Sequence, residues 1–198
     1  VDSVASSIVM KKVTFAGQTC VNYNRIYVHE KIYDQLCDAV ARELQKVGFE
    51  NDARYVCSPM INRSARDRMF DLIKDAVKSG AKLVTGGVIP PGREAGNFIT
   101  PALLKDVTDE MLVSRNEIFG PIIPMQKFSD FDRVLEQANN TIYGLSAYFY
   151  GHDARDMAKA IQTFEAGEVF VNAADGSELM PHAGTKQSGV GCDKSIWS

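Results

Sequence analysis

The stretch RIYVHEKIYDQLCDAVARELQKVG, residues 25–48, decides the fold class. It opens on Ile26, Tyr27 and Val28, β-branched and aromatic side chains that favour a short strand. From about Lys31 the period changes. Tyr33, Leu36, Cys37, Val40, Leu44 and Val47 recur at helical spacing, and Gly48 predicts the stop. A strand leading into an amphipathic helix is the first half of a βα unit.

The alternation continues on both sides. Upstream, residues 4–9 form an apolar-rich segment with the pattern of a helix already under way. Downstream, a helix from about Ser64 is expected to bury Met69, Phe70, Ile73, Ala76 and Val77 and to end at Gly80, with residues 81–85 as the next strand. Residues 89–97 hold two prolines and two glycines and predict a loop. Residues 98–104 predict a strand that Pro101 favours at a sheet edge. Ser129 as N-cap and Asp132 in the capping-box position predict a third helix, with Phe131, Val134, Leu135 and Ala138 on one face. Residues 145–150 read as a strand. Asp153 caps a fourth helix carrying Ala154, Met157, Ile161 and Phe164; it ends at Gly167, and residues 168–172 form the following strand. Strands separated by such helices predict an α/β fold: a mostly parallel open sheet with helices on both faces.

Composition narrows the function. With 45% hydrophobic and 24% charged residues among 198, the chain falls in the globular class. A net charge of -3 without a basic block argues against a nucleic-acid partner. No run of about 18 apolar residues predicts a membrane span. Cys20, Cys37, Cys57 and Cys192 are irregularly spaced, with no C-x-x-C pair, so neither a zinc site nor a redox dithiol is expected. With no secretory pattern at the start, they read as free thiols in a cytoplasmic protein. His29, His152 and His182 lack metal-ligand spacing, and no metal site is expected.

Three loops hold the residue types that chemistry needs. Gly17-Gln18-Thr19-Cys20 places a thiol after a glycine, between a helix and a strand. Backbone N–H groups in such a turn can stabilise an oxyanion once a thiolate attacks a carbonyl. The bland reading of a lone cysteine is a buried structural one, and Cys37, on the apolar face of its helix, illustrates it. Glu117-Ile118-Phe119-Gly120-Pro121 puts a carboxylate and an aromatic on a rigid break. The carboxylate could accept hydrogen bonds from ribose hydroxyls; the bland reading is a turn with Phe119 in the core. Pro181-His182-Ala183-Gly184-Thr185-Lys186-Gln187-Ser188-Gly189 reads as a flexible surface loop or a phosphate-binding one, although it lacks the spacing of a P-loop. A Cys20–His29 or Cys20–His182 dyad, as in thiol hydrolases, also stays open.

Taken in order, these segments resemble the aldehyde dehydrogenase superfamily over nearly the whole chain. Gly17-Gln18-Thr19-Cys20 is similar to its active-site cysteine motif, and residues 117–121 to its E-x-F-G-P cofactor motif. Gly167-Glu168-Val169-Phe170-Val171-Asn172 is similar to its late strand, and residues 181–189 to its P-F-G-G-x-K-x-S-G segment. The resemblance implies that Cys20 attacks an aldehyde, that NAD or NADP takes up a hydride, and that a thioester is hydrolysed to the acid. It implies cofactor contacts from Glu117 and Phe119 and a substrate pocket that includes Ser177 and His182. It also implies one catalytic domain over residues 1–198, a homo-oligomeric full-length protein, and a Rossmann-like domain and general-base glutamate upstream. Both ends of the chain read as cut, so these residues alone are expected neither to turn over aldehyde nor to bind NAD tightly.

Departures bear on the substrate. His182 and Ala183 stand where the family tail has Phe and Gly, which predicts a more polar tunnel. Tyr148-Phe149-Tyr150 is similar to succinate-semialdehyde members. The arginine that those members place six residues before the cysteine is Thr14 here, and their second cysteine is Asn22. Two other readings remain: a CoA-acylating aldehyde dehydrogenase, and a non-catalytic domain that kept the fold.

Overall fold

The computed structural model describes residues 1–50, 53–177 and 179–194, and these form two compact units. The first, Val1–Ser129, is built on a four-stranded sheet. Its elements are α1 (Asp2–Val13), β1 (Ile26–His29), α2 (Tyr33–Leu44), β2 (Val47–Gly48), β3 (Tyr55–Val56), α3 (Arg63–Lys78), β4 (Lys82–Thr85), β5 (Ala102–Lys105), α4 (Leu112–Arg115) and β6 (Ile122–Phe128). The sheet order is β1-β6-β5-β4. β1 runs parallel to β6, with Ile26 opposite Met125, and β6 runs parallel to β5, with Ala102 opposite Ile122. Only β4 is antiparallel, pairing Lys82 with Lys105.

Burial explains the register. Ala102, Leu103 and Leu104 of β5 are all 0% exposed, although successive side chains point to opposite faces. Both faces of the sheet centre are therefore covered, as parallel sheets require. Helices α1 and α2 pack on each other and on the sheet, and α3 packs on β4. Among the covered groups is Lys12, 1% exposed, whose burial lowers its ammonium pKa to about 7.

Several expectations are corrected in this unit. Helix α2 ends at Leu44, and Val47 and Gly48 leave it to pair with β3 as strand β2. Val77 is 44% exposed on α3, because the buried face runs through Met69, Leu72, Ile73 and Ala76. β5 is an interior strand; Pro101 lies just before its first residue, so the missing N–H costs no ladder bond. Strand β6, next to it, has no counterpart among the sequence expectations. Pro121 and Pro124 bracket its start, and its buried run, Ile122 to Gln126, lacks alternation.

The second unit, Asp130–Ser198, contains α5 (Phe131–Asn139), β7 (Ser146–Phe149), α6 (Ala154–Thr163), β8 (Glu168–Val171), β9 (His182–Ala183) and β10 (Cys192–Asp193). β7, α6 and β8 form a βαβ unit, with Ser146 opposite Glu168. β9 and β10 pair antiparallel. The cap of α5 is Asp130 rather than Ser129: its carboxylate accepts the Arg133 N–H at 3.0 Å. Asp153 caps α6 as expected, accepting from the N–H groups of Arg155 and Asp156. Ile161, expected on the inner face of that helix, is 52% exposed. Tyr148 stacks on Phe170 with ring centres 5.0 Å apart.

Candidate active site

Cys20 sits in a turn after α1, on a backbone that L-residues rarely adopt. Phe15 and Ala16 both have positive φ (50° and 54°), and Gly17 follows at 72°. Gly17 is also where two of the sequence motifs meet. A Cβ placed there would lie 2.4 Å from the Gly120 carbonyl oxygen, so the cysteine loop packs backbone to backbone on the 117–121 loop. Met69 of α3 supports the other side of Gly120 at similarly close range.

Polar side chains pin both loops. Gln18 donates from Nε2 to the Phe15 carbonyl at 2.8 Å and accepts the Ile61 N–H at the same distance. Asn22 Nδ2 donates to the Gly17 carbonyl at 2.8 Å, and its Oδ1 is buried with no hydrogen-bond partner among the described residues. Asn24 bridges to the second loop, donating to the Asn116 carbonyl at 2.9 Å and accepting the Ile118 N–H at 2.8 Å. The Arg68 guanidinium donates to the carbonyls of Glu117 and Ile118. These backbone interactions leave Glu117 and Phe119 with outward side chains: Glu117 is exposed, and Phe119 is 41% exposed with φ 47°. Phe119 is thus not the core residue of the bland reading.

Two of the four thiols, Cys20 and Cys192, are exposed and two are buried. Cys20 is exposed and makes no hydrogen bond among the described residues. Cys37 and Cys57 are each 1% exposed, and burial pushes their thiols up to about 11 and about 12. Cys37 lies against Met125 Sδ at 3.4 Å, a core contact. His29 Nδ1 accepts the Lys31 N–H at 3.2 Å and its ring meets Phe128 edge-on, so it serves the start of α2.

The glycine-rich tail lies in the second unit and is tied down there. Thr185 Oγ1 donates to the Gly144 and Glu165 carbonyls, Ser188 Oγ accepts the Gly144 N–H at 2.8 Å, and Lys186 Nζ donates to the Asn139 carbonyl at 2.6 Å. Lys186 and Ser188 are thereby committed to the clamp, which corrects both the flexible-loop and the phosphate-loop readings. Ser177 is exposed, and its hydroxyl accepts the Leu179 N–H at 3.2 Å. His182 Nδ1 lies 3.1 Å from an oxygen of Glu168, a partner that sequence reasoning did not single out. The roles of Gln18, Asn24 and Arg68 were missed too: Gln18 lies within the cysteine motif and Asn24 close after it, while Arg68, on α3, carries no local signal.

An exposed thiol on a pinned turn stands against a loop that offers an exposed carboxylate and an outward aromatic. The family comparison makes this specific: residues 1–198 match the aldehyde dehydrogenase family model, and the chain belongs to that family. It is 35% identical over 198 residues to a probable NADP+-type succinate-semialdehyde dehydrogenase of Sinorhizobium fredii, covering 98% of this chain and 40% of the relative. It is 38% identical over 199 residues to a 3-sulfolactaldehyde dehydrogenase of Pseudomonas putida, again covering 98% and 40%. A crystal structure of an aldehyde dehydrogenase from Brucella melitensis biovar abortus superposes with a TM-score of 0.91 at 38% identity, over 99% of this chain and 40% of that one. The chain therefore spans about 40% of the length of these relatives. No helix among the described residues is long and apolar enough to cross a membrane.

Proposed function

We propose that this chain supplies the nucleophile of an NAD(P)-dependent aldehyde dehydrogenase that converts an aldehyde to a carboxylic acid. The observation that carries the reading is the backbone contact of Gly17 with Gly120, which sets the Cys20 turn against the loop bearing Glu117 and Phe119. The residues fit a nicotinamide dinucleotide: an exposed carboxylate suits vicinal ribose hydroxyls, and an outward aromatic suits a planar ring. Glu117 would hold the ribose and Phe119 would lie along the nicotinamide, and the bound cofactor supplies a hydride acceptor.

The chain's own contribution is the thiol and its setting. Cys20 Sγ, as thiolate, adds to the aldehyde carbon to give a thiohemiacetal, and loss of hydride from that carbon leaves a thioester on Cys20. Water then releases the acid and restores the thiol. The pinned turn restricts where Sγ can sit, and backbone N–H groups in such a turn can meet the developing oxyanion. Thr14, where the resemblance would have an arginine for a substrate carboxylate, donates its hydroxyl to the Met10 carbonyl at 2.8 Å and offers no cation. Tyr148-Phe149-Tyr150, similar to succinate-semialdehyde members, supports a succinate-semialdehyde-like substrate. All four cysteines are free, which supports a cytoplasmic setting.

The test is an aldehyde panel with NAD+ or NADP+ on the full-length protein, read by reduced-cofactor absorbance and by product mass. Cys20→Ser should lose at least about a thousandfold in kcat with its circular dichroism unchanged. Retained activity would sink the nucleophile assignment. Acyl-CoA in place of acid, when CoA is present, would move the protein to the acylating branch.

A further inference from the structure

Asn22 holds the Cys20 turn at two points. Its backbone N–H donates to the Thr19 carbonyl at 3.3 Å, closing the turn across Cys20 and Val21. Its side-chain Nδ2 reaches further back and donates to the Gly17 carbonyl at 2.8 Å. The N–H of the same peptide group, on Gln18, donates to the Phe15 carbonyl at 3.1 Å. The Gly17–Gln18 peptide is therefore held at both of its polar ends, and a planar group held that way cannot swing.

The carboxamide holds this position at a cost. Its Oδ1 is buried with no hydrogen-bond partner among the described residues, and an orphaned buried acceptor destabilises a fold. Turning the amide over gives no relief. It would set Oδ1 2.8 Å from the Gly17 carbonyl oxygen, one acceptor facing another. Gly17 also leaves room for the amide: a Cβ there would lie 2.8 Å from Asn22 Nδ2, besides 2.4 Å from the Gly120 carbonyl oxygen. Gly17 is thus gripped between Asn22 and the 117–121 loop. An apolar side chain of similar size would fill the same space without an orphaned oxygen, so filling space does not account for a carboxamide here.

The grip bears on the nucleophile through the next peptide. In a trans peptide the carbonyl and the N–H point in opposite directions. With the Thr19 carbonyl turned to the Asn22 N–H, the Cys20 N–H points the other way, and it donates to no group among the described residues. We propose that Asn22 is a positioning residue that acts through this turn, keeping the Cys20 N–H and thiol in the arrangement from which the thiol attacks. The proposal rests on the reading of Cys20 as the nucleophile.

The experiment uses the full-length enzyme with succinate semialdehyde and with propanal, over a range of pH, alongside amide hydrogen exchange. Asn22→Ala removes the hold on Gly17, and kcat should fall about tenfold or more while the aldehyde KM stays within about twofold. Asn22→Asp keeps the shape and gives a signature that a space-filling role would not. Protonated, its carboxyl O–H donates to the Gly17 carbonyl; ionised, it has no donor left. The ratio of its kcat to that of the parent should therefore fall as pH rises through the carboxyl's titration. In Asn22→Ala the backbone amides of residues 18 and 22 should exchange severalfold faster, and unchanged exchange in β5 and β6 would show that the variant is folded. An Asn22→Ala kcat within about twofold of the parent's, a loss that falls on KM alone, or unchanged exchange at residues 18 and 22 would overturn the proposal. A parent protein without Cys20-dependent oxidation of any aldehyde would overturn the enzyme reading itself, whatever the exchange result.

Discussion

The Cys20 turn and the glycine-rich tail are both irregular segments, but they are held differently. The Cys20 turn lies in a unit whose central strands, β5 and β6, are buried on both faces, and Gln18, Asn24 and Arg68 fix its backbone and that of its neighbour. The tail pairs only as two-residue strands, and its hold is shared between backbone and side chains: the Thr185 and Gln187 N–H groups donate to the Gly144 and Ile142 carbonyls, beside the Thr185 and Ser188 hydroxyls, the Lys186 ammonium and the Glu168–His182 contact. A site that must keep one atom in register draws on backbone locked to a core. A segment without such a core takes its hold from hydrogen bonds to the loops beside it.

The largest expected effect probes the core under the turn. Lys12 is buried with a pKa of about 7 against 10.5 for a free lysine, so folding disfavours its protonated form. Unfolded chains bind more protons at this site between those values, and its contribution to stability therefore rises with pH across that window. Lys12→Met should stabilise the protein at pH 7 by an order of 4 kcal/mol. The gain should shrink by about 1.4 kcal/mol per pH unit as pH climbs towards 10.5. Urea titrations at three pH values measure this; a gain that does not change with pH would show that Lys12 is charged in the fold.

Next in size is Gly17→Ala. Its positive φ and the approach of the Gly120 carbonyl both oppose a methyl group, so a loss of at least about 2 kcal/mol is expected in thermal unfolding. A loss of activity of about a hundredfold should accompany it as the two loops part. Smaller still is Asn24→Ala, which frees the Ile118 N–H and should cost about 1 to 2 kcal/mol. If its kinetic effect falls mainly on KM for the cofactor, with that for aldehyde spared, the bridge acts through the Glu117 loop.

How much of this was legible in the sequence follows the same division. The βα alternation, the helix faces of α2 and α3 and the cap at Asp153 could be read because local periodicity and capping chemistry specify them. Strand β6 could not, since a strand buried on both faces carries no alternation and its prolines mimic a loop. Ser129 was read as the cap of α5 when Asp130, one residue on, does the work; helix ends are the least sharply specified part of a periodic pattern. Cys20, Glu117 and Phe119 could be found as motifs. Their juxtaposition could not, because a contact between residues 17 and 120 is a product of the tertiary fold. Glu168 went unmarked for a related reason: nothing local distinguishes a buried carboxylate from a solvated one.

The central claim is that Cys20 alone among the cysteines is a nucleophile, and graded alkylation tests it most directly. The full-length protein is treated with limiting iodoacetamide at pH 8, and modified peptides are quantified alongside residual aldehyde oxidation. Activity should fall in one-to-one proportion with alkylation of Cys20 and not with that of Cys192, the other exposed thiol, while Cys37 and Cys57, buried with thiols pushed up to about 11 and about 12, stay unmodified. Full activity in protein whose Cys20 is completely alkylated would contradict the account.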